Sequence, residues 1–152
     1  MTSSYYEAKA PIKVGYLMDI IIPDDWPQGL KTDVVAPAEL AFKRAYESGL
    51  IDRPVELVIR EVDGMPKGTV KAVIDAYGEL VDEGCLAVIG PSIVDNAVPT
   101  KLEIEKRFHV PSVSMCASED FLGEWTFSLP MGSHVEEPVF WARLIRKAGH
   151  KE

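Results

Sequence analysis

Ser92, Ser114, Cys116 and Ser118 are the residues of this chain best suited to chemistry, joined by Asp19 and Trp26 far upstream. Ser92 follows Gly90-Pro91, directly after the apolar run Cys85 to Ile89. Ser114 to Ser118 closes a second strand-like segment that starts at Val110. Hydroxyls and backbone N–H groups gathered at strand ends suit a carboxylate or similar anion, and an aromatic nearby covers an apolar body or stacks on a cation. Ser92 and Ser118 are equally well suited to being plain turn and capping residues. Residue chemistry alone leaves the two readings level.

Other chemistries fare worse. Gly90-Pro-Ser-Ile-Val94 is one residue short of the nucleophile elbow Gly-x-Ser-x-Gly, and proline suits that strained turn poorly. His109, His134 and His150 are the bases a hydrolase built on Ser92 would need, and that hydrolase stands as the competing reading. Met18-Asp-Ile-Ile-Ile-Pro23 occupies the place of a dinucleotide-binding glycine fingerprint. A receiver-type acceptor aspartate is missing from the end of the third strand, and Asp24-Asp25 reads as a solvated loop. No spacing of His, Cys, Asp or Glu fits a metal, and nothing calls for a cofactor.

These residues need a scaffold that brings distant turns together. Cys85 to Ile89, short and uncharged, reads as a strand buried on both sides, the mark of a parallel sheet. Before it come a strand at Ile12 to Met18, with Gly15 allowing a close neighbour, and a long loop from Asp19 to Thr32. A helix from Pro37 to Ser48 is closed by Gly49, with Ala38, Ala41, Phe42 and Ala45 on one stripe. Val55 to Val62 alternates like an edge strand, and Thr69 to Glu83 keeps the helical period until Gly84. After the central strand, a helix starts behind Asn96 as N-cap with Pro99 in its first turn. Strands at 110–115 and 125–129 and a helix over 133–148 complete the alternation.

The pattern predicts an α/β fold, flavodoxin-like and doubly wound, with a mostly parallel sheet in three layers and strand order 2-1-3-4-5. In such sheets ligands collect at the carboxyl ends of the strands, where Ser92 and Ser118 would sit side by side. Residues 1–10 read as a flexible lead-in, 11–131 as a ligand-binding lobe and 132–152 as a further helix. That last helix is unusual. Val135, Val139, Ala142 and Ile145 share one face, while Phe140, Trp141, Leu144 and Ala148 share the opposite one. Two apolar faces need cover, from more chain or from a second copy.

Bulk properties narrow the partners. A net charge of −8 argues against nucleic acid and anionic membranes, which need basic patches. No stretch approaches the roughly 20 apolar residues of a membrane span. The N-terminus lacks the apolar region of a secretory signal, which leaves a cytoplasmic protein or one whose leader has been removed. Two cysteines make no disulfide framework, and their apolar settings predict buried free thiols.

Several segments together resemble a family. Ile12-Lys-Val-Gly, the Pro/Trp/Gly loop, Ala38-Glu-Leu-Ala-Phe, Gly49-Leu-Ile-Asp-Arg-Pro-Val-Glu-Leu, Ala87-Val-Ile-Gly-Pro-Ser and Val110-Pro-Ser-Val-Ser are similar to type I solute-binding proteins. The subgroup is the branched-chain amino-acid and amide receptors of ABC transporters, and the likeness covers about residues 11 to 148. It implies two α/β lobes closing on a ligand, of which this chain resembles the first lobe plus the first helix of the second. It implies a small polar solute (amino acid, amide or related compound), a permease partner if the second lobe is present, and no catalysis. A cytoplasmic ligand sensor of the same fold is the alternative. By position, Trp26 matches an aromatic of the cleft, Ser118 a hydroxyl that binds ligand amine and carboxylate, and Cys116 a residue offering its backbone carbonyl as an acceptor. Ile93 and Val94 stand where the family has a Ser-Ser pair, which favours amides, urea-like compounds or aromatic acids as much as α-amino acids. The candidate ligand-binding set is therefore Asp19, Trp26, Ser92, Ile93, Val94, Cys116, Ala117 and Ser118. The bare helix near the C-terminus predicts a homodimer through residues 133–148.

Overall fold

Five parallel strands in the order β2-β1-β3-β4-β5 form the sheet of the computed structural model, which describes residues 9–22, 30–129 and 136–149. Trp26, His134, His150, most of the lead-in and the boundary at 131–132 lie outside the described residues. The strands are β1 (Ile12–Met18), β2 (Val55–Glu61), β3 (Val88–Ile89), β4 (Ser112–Ser114) and β5 (Thr126–Ser128). The helices are α1 (Leu30–Glu47), α2 (Val70–Asp82), α3 (Val94–Glu103) and α4 (Glu137–Lys147). A π-helical turn, Ile104–Phe108, extends α3, and a 3₁₀ turn, Glu119–Phe121, joins β4 to β5. Strand order and fold class are as the sequence predicts.

The core lies between the sheet and α2. Leu17, Val58 and Val88 meet Val73, Ala76, Tyr77 and Leu80, with Cys85 and Ile104 closing the cluster. Thr69 caps α2 by accepting the N–H of Ala72 at 3.1 Å. Among the described residues, the opposite face of the sheet is covered only near β1 and β2, where Met18, Ile22 and Val35 pack with Tyr16 and Leu57.

That asymmetry corrects the expectation that the central strand is buried on both sides. Ile59, Tyr16, Ile89, Val113 and Phe127 form one register row across all five strands. Its far end is open, with Phe127 47% exposed. Leu86, inside the apolar run of the central strand, is exposed as well. Among the described residues, α1 spans too few strands to cover the row.

Two helix starts also differ from expectation. α1 begins at Leu30, so Pro37 lies inside the helix and the preceding loop is shorter than predicted. Val34 and Val35 belong to the helix, with Val35 in the core, and that burial extends it upstream of the proline. α3 begins at Val94 with Ile93 as N-cap, so Asn96 is a buried helical residue and not the cap. The reason lies in the site.

Candidate functional site

Gly90 turns the chain out of β3 at φ +102°, and a Cβ there would stand 2.4 Å from the carbonyl oxygen of Leu17. Only glycine fits a left-handed position pressed so close to the neighbouring strand. The turn is then laced to β4. Ser112 Oγ donates to the Gly90 carbonyl at 2.6 Å, and Ser114 Oγ donates to the Pro91 carbonyl at 2.6 Å. Ser114 Oγ also accepts the N–H of Cys116 at 2.8 Å. Two side chains of one strand thus set the turns after β3 and β4 side by side at the carboxyl edge of the sheet.

The start of α3 is capped from a distance. Asp19 follows β1, is 2% exposed, and receives the N–H of Ser92 on Oδ1 and of Ile93 on Oδ2, each at 2.9 Å. Asn96 Nδ2 donates to Asp19 Oδ2 at 2.9 Å. A carboxylate at a helix N-terminus satisfies donors that have no partner in the helix and complements its dipole. Here it comes from another strand, so Asn96 is free to turn inward.

The candidate residues therefore divide. Asp19 is buried and its carboxylate oxygens are engaged by Asn96 and by the N–H groups of Ser92 and Ile93. Those two backbone N–H groups, expected to be open to an anion, point at Asp19. The side chains of Ser92, Ile93 and Val94 remain half-buried, as do Ala117 and Ser118. Ser118 caps the 3₁₀ turn, its Oγ accepting the N–H of Asp120 at 3.3 Å. Cys116 is buried with Ala97 and Phe121, and its carbonyl accepts a hydrogen bond from Ser128 Oγ. Burial pushes its thiol pKa up, partly offset by the N–H of Ser118.

Sequence reasoning missed Asn96 as an internal residue, and with it the part played by Met65. Asn96 Oδ1 accepts the N–H of Met65 at 2.8 Å, linking α3 to the β2–α2 connection. A buried asparagine two residues after a helix start is the only local signal. Its partners are 77 and 31 residues away.

Of the three histidines, only His109 falls among the described residues. α3 and its π-helical extension separate Ser92 from His109 by roughly 20 Å at 1.5 Å per residue. Among the described residues no group of three His, Cys, Asp or Glu side chains is placed to hold a metal. None of the described helices is long and apolar enough to cross a membrane.

The fold is that of a single type I periplasmic-binding lobe: a five-stranded parallel sheet in the order 2-1-3-4-5 with its turns gathered at one edge. A protein described as a branched-chain amino acid ABC transporter from Chromobacterium violaceum aligns at TM-score 0.51 and 18% identity, over 91% of this chain and 40% of that one. An ABC transporter substrate-binding protein from Sphaerobacter thermophilus aligns at TM-score 0.47 and 18% identity, over 70% and 27% of the two chains. A leucine binding protein, LivK, from Thermotoga maritima aligns at TM-score 0.44 and 19% identity, over 69% and 27%. The chain thus spans well under half the length of each of these solved structures. No family model and no curated protein matches the sequence.

Proposed function

We propose that this chain is the first lobe of a substrate-binding component of an ABC transporter. It holds a small polar solute at the carboxyl ends of its strands and performs no catalysis. The observation that carries this reading is the lacing of the β3 and β4 turns by Ser112 and Ser114. It leaves Ser92 and Ser118, both half-buried, on adjoining turns. Such a surface offers hydroxyl groups on a rigid frame, and the one described histidine, His109, lies at the far end of α3 and its π-helical extension.

The capping by Asp19 refines the solute. An anion at the start of α3 would have to displace a buried carboxylate, so the solute's contact there is neutral. An amide or urea-like group meets that requirement better than an α-carboxylate does, and Ile93 and Val94 add no side-chain hydroxyl there to hold a carboxylate. The permease partner belongs to this reading whenever a second lobe accompanies the chain.

The test is a calorimetric and NMR titration with propionamide and with leucine. One lobe binds weakly, because closure between lobes normally buries the ligand on both sides. The expected result is perturbation of the Ser92, Ala117 and Ser118 amides by propionamide more than by leucine, with loss in Ser92→Ala/Ser118→Ala. Binding that survives that double substitution together with Trp26→Ala places the site elsewhere. Ester hydrolysis abolished by Ser92→Ala would establish the hydrolase instead.

A further inference from the structure

Directly after Asp19, Ile20 and Ile21 stand 41% and 46% exposed at the end of β1. The β2–α2 connection folds against the same place. A Cβ on Gly64 would lie 2.7 Å from the Asp19 carbonyl oxygen and 2.5 Å from Asn96 Nδ2, so the backbone there is in direct contact with both. Asn96 holds the next residue by both of its main-chain groups, accepting the Met65 N–H at 2.8 Å and donating to the Met65 carbonyl at 3.4 Å. Between these two segments lies a cavity of about 150 Å³, walled by Ile20, Ile21, Met65 and Pro66, with Asp63, Gly64 and Lys67 completing its lining.

We propose that this cavity is a binding subsite for the apolar arm of the solute, a benzene-sized or branched butyl group. The polar end would lie at the Ser92 and Ser118 turns, and that part of the proposal rests on the function proposed above. An apolar cavity of about 150 Å³ is large enough for one benzene molecule. The cavity and the turn share a frame, because Asn96 binds Met65 on one side and the carboxylate that holds Ser92 and Ile93 on the other. A subsite held this way is formed before the ligand arrives, which lowers the ordering cost of binding. Asp63 and Lys67 offer opposite charges beside it, and no hydrogen bond or ion pair joins either side chain to a described residue. The solute class is then a neutral amide bearing an aromatic or branched aliphatic group. A larger groove of about 370 Å³ lies against β2, lined by Phe42, Tyr46, Val55 and Leu57, but it is built from α1 and the sheet edge, and none of these residues bonds to Asn96 or the Asp19 carboxylate.

The experiment is methyl NMR of the whole chain with benzene at its aqueous saturation, a probe that needs no polar site. The Ile20, Ile21 and Met65 methyl signals should shift, and Ile21→Asp, at a half-exposed position, should abolish the response while the rest of the spectrum is retained. Silence of these methyls, or benzene signals confined to Leu57 and its neighbours, overturns the subsite. A second arm compares acetamide with phenylacetamide, where the ring should tighten binding by about tenfold or more in the unmodified chain and not in Ile21→Asp. Phenylacetamide that moves the Ser92 and Ser118 amides but not the three methyls refutes the subsite and leaves the polar reading standing. Benzene that moves the methyls while neither amide reaches Ser92 or Ser118 supports the subsite and refutes the polar reading.

Discussion

The carboxylate of Asp19 receives the backbone N–H of Ser92 at 2.9 Å, joining residues 73 apart in the chain across the ends of neighbouring strands β1 and β3. The same carboxylate takes the N–H of Ile93 and an amide hydrogen of Asn96. Removing it leaves buried donors with no acceptor, and each such loss costs about 1–3 kcal/mol. Asp19→Ala should therefore lower unfolding stability by about 3 kcal/mol, and Asp19→Asn, which keeps one acceptor oxygen, by less. Urea denaturation followed by circular dichroism measures both. An unchanged midpoint for Asp19→Ala would show that water replaces the carboxylate without penalty.

The two cysteines should be chemically quiet in the folded chain. Both are free and buried, and burial raises both thiol pKa values. Reactivity follows the thiolate, so neither should react with iodoacetamide at neutral pH before unfolding. Mass spectrometry should find no adduct on the native chain and two on the chain in guanidinium. Rapid native labelling of Cys116 would mean that the β4 turn opens readily.

Glu105 ties the π-helical turn to the last strand. Its carboxylate accepts the N–H groups of Trp125 at 2.9 Å and Glu124 at 3.2 Å, and the Thr126 hydroxyl at 2.7 Å. Desolvation raises its pKa, but these three donors outweigh it and hold the pKa below the ordinary value of 4.5. The depressed value means that the unfolded chain binds the proton more readily. The stabilisation is complete above the unfolded pKa and is lost as pH falls through the folded one. Glu105→Gln should then flatten the acid limb of a plot of melting temperature against pH. Parallel limbs for the two proteins would remove Glu105 from the acid response.

Helix α4 has no buried residue, and Val139, Phe140, Trp141, Leu144 and Ile145 are each about half exposed. We propose that a second copy covers this helix, because a patch of a few hundred Å² is at the limit that soluble monomers tolerate. Burying it is worth several kcal/mol at about 25 cal/mol/Å² before association entropy is subtracted. Sedimentation should show a dimer at micromolar concentration and its loss in Trp141→Lys. A monomer for the unmodified chain at that concentration would sink the idea.

Much of the architecture is legible in the chain because it rests on local pattern. The limits of β1, the period of α2 with Thr69 before it and Gly84 after it, and the edge character of β2 all follow from residues close in sequence. The adjacency of the Ser92 and Ser118 turns also follows, since strand alternation with right-handed crossovers leaves few orders for five parallel strands. Composition and spacing by themselves argued against nucleic acid, a membrane span and a metal as the business of this chain.

Tertiary structure decided what those residues do. Asn96 reads as a helix cap in the sequence because asparagine commonly is one, yet Asp19 arrives from another strand and takes that role. Ser112 and Ser114 look like ordinary strand residues until β3 lies beside them and their hydroxyls find the Gly90 and Pro91 carbonyls. The exposure of Phe127 at the end of its register row was likewise invisible, since it depends on how many strands one helix spans. Hydrophobic period is a property of neighbours in sequence and survives in any fold that keeps its elements. A hydrogen bond between residues 73 apart exists only once the sheet has brought their strands within 5 Å of each other.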